Sequence, residues 1–266
     1  MATADPRDRG RPAHRTAPPP GVSNRQPGSP TVEGPFTRLV NVLRFEFWRL
    51  RDALSDRVGG AAHRRAVFSR IYAGNLWGDR TSVSGGGSGP AATQAIRREL
   101  PILFQRYAVR TLLDAPCGDF LWMRDVTDSV ERYVGVDIVP DLIARNTERY
   151  ATERISFVCA DLTTDPLPAA DLVLCRDCFI HLPTRLIRRA LRNFRQTGAR
   201  YLLLTNDRSA EPYHDTPVGS FRRINFTRPP FFFPEPILAL NETEEADRQL
   251  CLWELRDSRI LRPIRA

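Results

Sequence analysis

The second half of the chain alternates short apolar runs with stretches that carry apolar residues at every third or fourth position. Continuous apolar runs are typical of strands buried on both faces of a parallel sheet, and the intervening pattern is typical of amphipathic helices. One such helix begins near Pro140, and another ends at Gly198, since glycine commonly follows the last helical residue. The predicted strands are 110–114, 132–137, 155–159, 171–175 and 201–205.

After the fifth predicted strand the pattern changes to a proline-rich stretch, residues 206–236. A loop this long inside a compact domain is usually functional or disordered. Its run of phenylalanines at 231–233 favours an ordered loop, and we predict that it forms a lid over a site. Two apolar runs, 237–240 and 250–255, then predict an antiparallel pair of strands.

The first 35 residues contain eight prolines and no aromatic residue. Such a segment cannot bury enough apolar surface to offset the entropy lost on ordering, so we predict a disordered tail rich in proline and arginine.

A helix is predicted for residues 36–58, because apolar residues recur at steps of three or four and Gly59-Gly60 would end it. Arginines are interleaved among them. A basic helix of this kind either packs on its own domain or on a second copy in a homodimer, or it lies on a membrane surface or docks on a partner. The sequence leaves these alternatives open.

Between this helix and the core lies a glycine- and serine-rich stretch, residues 82–90, preceded by Trp77-Gly78. It is either a flexible linker or a segment that closes over a ligand, since its small residues permit close approach and their N–H groups can hold a carboxylate. A helix over 91–109, kinked at Pro101, follows. We therefore group residues 36–109 as N-terminal helices plus this segment, and residues 110–266 as the core.

The first predicted core strand ends at Asp114 and runs into a tight turn at Pro116, Cys117 and Gly118, after which Asp119 is predicted to open an apolar helix. A strand, a sharp turn and a helix start form the nucleotide pocket of open α/β sheets. The second strand ends in Asp137, a residue placed to accept hydrogen bonds from both hydroxyls of a ribose.

This turn lacks the G-x-G-x-x-G pattern of dinucleotide sites. A pyrophosphate needs successive free N–H groups, whereas Pro116 removes one and Asp114 and Asp119 add negative charge. The site therefore suits a ligand with a cationic or zwitterionic end and a ribose. S-adenosylmethionine has both and carries no phosphate.

Three stretches, Leu113-Asp-Ala-Pro-Cys-Gly-Asp119, Gly135-Val-Asp-Ile138 and Asp171–Asp177 with His181-Leu182, resemble the class I S-adenosylmethionine-dependent methyltransferases. The resemblance covers roughly residues 68–255 and is strongest to a bacterial branch with D-A-P-C-G-D in place of D-x-G-x-G-x-G. It implies a Rossmann-like, mostly parallel sheet of seven strands with helices on both faces, which the C-terminal antiparallel pair would complete.

The ligand of such a sheet lies beyond the carboxyl ends of its strands, which selects the predicted cofactor-binding residues. Asp114 and Gly118 would border the aminoacyl end of the cofactor, and Asp137 would bind the ribose. Asp161, with the backbone of Leu162, would meet the adenine. The complete predicted set is Asp114, Pro116, Gly118, Asp119, Asp137, Ile138, Asp161, Leu162 and Arg176.

Catalysis is assigned to His181, whose ordinary pKa near neutrality suits a general base, with Asp177 placed to orient it. The alternative is that His181 only packs beneath the following helix. His214, in the long loop, is the alternative base. Arg222 and Asn225 of the same loop are predicted, together with His214, to bind an acidic or sugar-containing acceptor.

The net charge is +8, and all 39 basic residues are arginine. A GC-rich coding bias explains this, and we do not expect nucleic acid as a partner, although arginine also suits phosphate. The five cysteines lie mostly in apolar runs and indicate free thiols in a reducing compartment; Cys175-x-x-Cys178 has no second ligand pair that would complete a zinc site, so we expect no metal. With no membrane-spanning run and no signal-peptide pattern, we predict a bacterial, cytoplasmic protein.

The leading hypothesis is an enzyme that methylates oxygen or nitrogen of a small-molecule or glycan acceptor with S-adenosylmethionine. An RNA or protein methyltransferase is the rival within enzymes, because arginine is abundant. A non-catalytic module that binds the cofactor and docks on a membrane or partner through residues 36–58 is the rival from another class.

Overall fold

In the computed structural model, residues 35–77, 79–242 and 247–261 are described. The predicted tail, residues 1–35, therefore lies outside the described residues except for Pro35. The predicted seven-stranded sheet is confirmed, with the strand order β3-β2-β1-β4-β5-β7-β6. The strands are β1 Thr111–Asp114, β2 Arg132–Asp137, β3 Ile155–Cys159, β4 Leu172–Cys175, β5 Tyr201–Asp207, β6 Leu238–Asn241 and β7 Arg248–Glu254.

Strands β1 to β5 pair in parallel, and β7 pairs antiparallel with both β5 and β6. Strands β1, β4 and β5 are almost wholly buried, as their continuous apolar runs predict, whereas the edge strand β3 is partly exposed. Parallel pairing brings the carboxyl ends of β1, β2 and β4 to the same edge. The chain order reverses between β1 and β4, which places the topological switch point there.

In the described part of the chain four α-helices accompany the sheet, and they bury apolar side chains in two separate clusters, one on each face of the sheet. The face predicted for α4, with Leu186, Leu191 and Phe194, is fully buried. The helices are α1 Pro35–Ala73, α2 Gln94–Arg106, α3 Pro140–Tyr150 and α4 Thr184–Gln196.

The helical regularity is interrupted where Gly59-Gly60 predicts a helix end, because Gly60 has non-helical angles (φ 50°, ψ −126°). A second helical part, which the sequence analysis did not predict, follows the kink and extends α1 to Ala73. The second part is held because it packs on the core, a tertiary constraint that outweighs the local cost of glycine. The predicted helix at Asp119 is absent, since that stretch forms a turn and then a short 3-10 helix at Met123–Asp125.

The apolar side chains of Phe47, Leu50 and Leu54 in α1 are 63–69% exposed, so these three do not pack on the domain. None of the described helices is long and apolar enough to cross a membrane.

The long loop between β5 and β6 is ordered by its aromatic residues. Phe226, Phe231 and Phe233 are buried and contact one another, and Phe233 also meets Trp253 of β7. Because these side chains join the core, the loop is fixed against the sheet rather than free in solvent.

The second part of α1 is attached to the sheet edge by a buried ion-pair network. Arg64 lies 2.6 Å from Asp161, which follows β3, and 2.5 Å from Asp56. Arg185 of α4 also pairs with Asp56. All three members at the centre, Asp56, Arg64 and Asp161, are at most 3% exposed.

Replacing Arg64 with methionine should destabilise the protein by about 3–5 kcal/mol, because Asp56 and Asp161 would keep buried charges without their shared partner. The matched control is Arg65→Met, since Arg65 is exposed on the same helix. Thermal unfolding of both variants measures the difference. Equal melting temperatures for the two variants would contradict the structural role given to the network.

Candidate active site

A cavity of about 400 Å³ opens at the carboxyl ends of β1, β2 and β4, where the switch point predicts a ligand site. Its walls include the glycine-rich segment, the second part of α1 and part of the long loop. Of the predicted cofactor-binding residues, those that line it are Asp114, Pro116, Gly118, Asp137, Ile138, Asp161, Leu162 and Arg176.

Two buried carboxylates face this cavity. Asp114 accepts a hydrogen bond of 2.8 Å from the Tyr133 hydroxyl, and Asp137 accepts bonds from the amides of Gly118 (3.3 Å) and Val139 (3.1 Å). Burial raises the pKa of Asp114 to about 7 and the pKa of Asp137 to about 6. A cation or hydroxyl donor that entered the cavity would therefore relieve an electrostatic cost that the free protein carries.

Asp119 does not line the cavity. It binds the glycine-rich segment next to the turn at Pro116, Cys117 and Gly118. Its carboxylate accepts hydrogen bonds from the Ser82 hydroxyl (2.8 Å) and the Val83 amide (3.1 Å), and its own amide donates to the Ser84 hydroxyl (2.9 Å). Asp119, which the sequence predicts to bind the cofactor, therefore binds the segment that lines the cavity and does not line the cavity itself.

The turn needs glycine at position 118 for two reasons. Its φ of +53° is rarely adopted by other residues, and an added Cβ would lie 2.3 Å from the Ser84 hydroxyl. The glycine-rich segment therefore rests directly on the motif turn, as a ligand-closing segment would and a free linker would not.

The segment also brings backbone donors to the cavity. Residues Gly86–Ser88 form a 3-10 turn, and no described residue accepts a hydrogen bond from the amides of Gly86 or Gly87. Arg176 donates a bond of 2.8 Å to the Gly87 carbonyl and so holds the turn at the sheet edge. Unpaired amides of this kind suit a carboxylate.

At the opposite wall Asp161 is already bound on both oxygens. Thr163 donates its amide and hydroxyl to one oxygen (2.8 and 2.7 Å), and Arg64 donates to the other. Among the described residues, none accepts from the Leu162 amide, which leaves that donor beside the carboxylate. A carboxylate next to a free amide can pair with the amino group and ring nitrogen of adenine, as the sequence predicts.

Arg176 and Asp177 belong to a second charged cluster. Arg176 forms a two-point pair with Glu242 (2.8 and 3.1 Å), and Asp177 pairs with Arg248 of β7. Asp177 also accepts from the Thr205 hydroxyl at 3.3 Å. Its partners are therefore arginine and threonine, and the predicted hydrogen bond that would orient His181 is not formed.

His181 is oriented by the backbone instead. Its Nδ1 lies 2.8 Å from the Ser220 carbonyl, which can only accept, so Nδ1 carries the proton and the neutral ring has its lone pair at Nε2. The ring stacks on Trp77 with 5.0 Å between centroids and also contacts Phe221 at 6.0 Å. Burial lowers the pKa of His181, which keeps it neutral.

The three predicted acceptor-binding residues do not reach the cavity. His214 is exposed on the loop, and Asn225 accepts bonds from Thr227 in a local turn. Arg222 is buried, donates to the Leu182 carbonyl at 2.7 Å and lies over the Tyr213 ring. All three therefore lie in the loop itself, away from the walls of the cavity.

Sequence reasoning missed several residues that do line the cavity, among them Arg64, Phe68, Tyr72, Phe221 and Arg248. The first three follow one another at four-residue steps, a spacing that places them on one face of a helix. This spacing could have predicted a helix over these residues. The glycine pair at 59–60 indicates a helix end, so the continuation of α1 was not predicted.

Part of the chain is similar to a known protein family. Residues 112–198 match the family model of a methyltransferase domain. That stretch of the chain is similar to a methyltransferase domain. No curated protein matches the chain.

Among solved structures, the chain is similar to the 1,6-didemethyltoxoflavin-N1-methyltransferase of Burkholderia thailandensis, with 17% identity, a TM-score of 0.50 and coverage of 85% of this chain and 92% of that one. It also matches human N-acetylserotonin methyltransferase (15% identity, 82% and 68% coverage, TM-score 0.49). The methyltransferase domain of a bacterial Hen1 is matched at 16% identity over 44% of this chain and 66% of that chain, just under two thirds, with a TM-score of 0.39. At 17% identity the likeness to the Burkholderia enzyme shows a shared fold.

The residues of the cavity fit S-adenosylmethionine, the cofactor that the sequence predicts. The buried carboxylates of Asp114 and Asp137 face the cavity, and the amides of Gly86 and Gly87, which have no partner among the described residues, lie in its wall. Within the described residues no cluster of histidine, cysteine or acidic side chains could hold a metal ion, and Cys175 and Cys178 are buried free thiols.

Replacing Gly118 with alanine should lower the affinity for S-adenosylhomocysteine at least tenfold, about 1.4 kcal/mol, because the new Cβ would displace Ser84 and the glycine-rich segment. Gly198→Ala is the control, since Gly198 also has a positive φ (+80°) but has open space around it. Calorimetric titration of both variants separates backbone strain from loss of the segment. Equal affinities for the two variants would show that the segment does not form part of the site.

The affinity for S-adenosylhomocysteine should fall as the pH is lowered from 8 to 5, because Asp114 and Asp137 take up protons with pKa values of about 7 and 6. A bound ammonium favours their charged forms. In the free protein the sign is opposite: both folded pKa values are raised, so their contribution to stability is complete below pH 4 and is lost as the pH rises through 6 to 7. Titrations across this range test the prediction. For Asp114→Asn, the part of the pH dependence centred near 7 should disappear.

Proposed function

We propose that this protein is an S-adenosylmethionine-dependent methyltransferase that acts on oxygen or nitrogen of a small-molecule acceptor held at the His181 end of the cavity. The observation that carries the proposal is the orientation of His181. Its Nδ1 proton is committed to the Ser220 carbonyl, and among the described residues no partner binds Nε2. A neutral imidazole with a free nitrogen at the cavity wall is suited to remove a proton.

On this proposal the cofactor-binding residues bind different parts of the cofactor. Asp137 binds the ribose hydroxyls, and Asp161 with the Leu162 amide binds the adenine. Asp114 lies near the ammonium of the aminoacyl end, and the amides of Gly86 and Gly87 bind its carboxylate. S-adenosylmethionine, when bound, supplies a methyl group attached to a sulfonium. When the methyl group is transferred, the electron pair of its bond stays on sulfur.

The chain's own residues then have two tasks. His181 accepts the proton of the acceptor hydroxyl or amine at Nε2, and the lowered pKa of His181 keeps it able to do so at neutral pH. The glycine-rich segment, the second part of α1 and Phe221 cover the site, which excludes water and holds the acceptor close to the methyl group.

The direct test is to incubate the full chain with S-adenosylmethionine labelled in the methyl group and fractionated cell extract, and to identify what becomes labelled. Labelling of a small molecule supports the proposal. Labelling confined to RNA or to protein would contradict the small-molecule assignment in favour of the rival substrates.

With the labelled fraction as substrate, His181→Ala should lower turnover by about 10²–10⁴-fold, as expected for a lost general base, while the affinity for S-adenosylhomocysteine stays unchanged. His214→Ala serves as control, because His214 is exposed on the loop. The wild-type rate should rise with pH through an inflection below 6.5, since burial lowers the pKa of His181. A His181 variant with near-normal turnover would exclude this residue as the base.

A further inference from the structure

The His181 end of the cavity is built from aromatic side chains. Trp77 stacks on the His181 ring with an interplanar angle of 24°, and Phe221 contacts the imidazole at 52°. Tyr72 and Phe68 of α1 line the same cavity. Aromatic side chains therefore adjoin the imidazole to which we assign proton removal.

Phe221 differs from the other phenylalanines of its loop. Phe226, Phe231 and Phe233 are buried in the core, whereas Phe221 is 58% exposed although it lines the cavity. Exposed aromatic surface at a cavity is stabilised when a ligand covers it, because aromatic pairs gain about 0.5–1.5 kcal/mol beyond the area they bury.

Helix α1 contributes residues both to this end of the cavity and to the end assigned to adenine. Arg64, which binds Asp161, and Tyr72 lie on one face of the helix and eight residues apart, a rise of about 12 Å along its axis. Tyr72 therefore lies far from the Asp161 wall, on the side of Trp77.

Polar groups for a sugar are scarce at the aromatic end. The loop residues predicted to bind one, Arg222 and Asn225, bond to the protein itself. Asp177 and Arg248, which do line the cavity, are paired with each other. A sugar would leave several hydroxyls without partners there, and each unpaired buried hydroxyl costs about 1–3 kcal/mol.

We infer that the acceptor is a planar aromatic ring that carries an ionisable hydroxyl or ring N–H. The ring would lie against Trp77, Tyr72 and Phe221, and its acidic proton would face Nε2 of His181. This inference rests on the proposed function, because it names the class of acceptor that the same site takes.

The experiment uses the full chain and begins with calorimetric titration of S-adenosylhomocysteine. Failure of that titration would defeat the proposed function itself. The saturated complex is then titrated with 2-naphthol and with methyl α-D-glucopyranoside by ligand-observed NMR. We expect 2-naphthol to bind with a Kd of about 1 mM or lower and the glucoside to show no binding.

Phe221→Ala should weaken 2-naphthol binding about 3- to 10-fold and leave the affinity for S-adenosylhomocysteine unchanged. Phe232→Ala is the matched control, because Phe232 belongs to the same loop, is 57% exposed and does not line the cavity. Both variants remove an exposed side chain, so neither should impair folding.

Three results would overturn the inference while the proposed function stands: no binding of 2-naphthol to the saturated complex, stronger binding of the glucoside, or equal weakening of 2-naphthol by the two phenylalanine variants. The first two would exclude the aromatic acceptor. The third would show that naphthol binds the loop surface rather than the cavity.

Discussion

The cavity depends on the buried ion pair between Arg64 and Asp161. Strand β3 ends two residues before Asp161, so the sheet fixes one partner, and α1 supplies the other. Burying two charges costs several kcal/mol each, and good geometry with further hydrogen bonds offsets that cost. Asp56 accepts a second bond from Arg64, and Thr163 donates to the other oxygen of Asp161, so the second part of α1 is fixed against the strand ends and forms a wall there.

A similar arrangement holds the glycine-rich segment. Asp119 binds Ser82 and Ser84 of this segment, and Arg176, which pairs with Glu242, donates to the Gly87 carbonyl. Polar residues at the edge of the sheet thus anchor both α1 and the glycine-rich segment. Arginine suits this role, because its planar fork forms several directed hydrogen bonds at once and stays charged when buried.

The sheet and its cofactor edge could be predicted because their signals are local. Apolar runs set the strands, and a parallel sheet brings Asp114, Asp137 and Asp161 to one edge without further information. The covering elements could not be predicted in the same way, because their positions depend on pairs far apart in sequence. Nothing near Arg222 shows that it bonds the Leu182 carbonyl, and nothing near Gly60 shows that the helix continues on the far side.

The two ends of the cavity therefore have different structural origins. Strand ends within residues 112–198 supply the carboxylates assigned to the cofactor, and these residues are the ones that match the methyltransferase domain. Trp77, Tyr72 and Phe221 lie outside that range, on segments that the sheet only anchors. A change of these three side chains can alter the acceptor end while the acids of the sheet edge keep their partners, because no hydrogen bond of the described residues joins the two sets. Loops and appended helices can thus set the choice of acceptor on a sheet whose strand ends hold the cofactor.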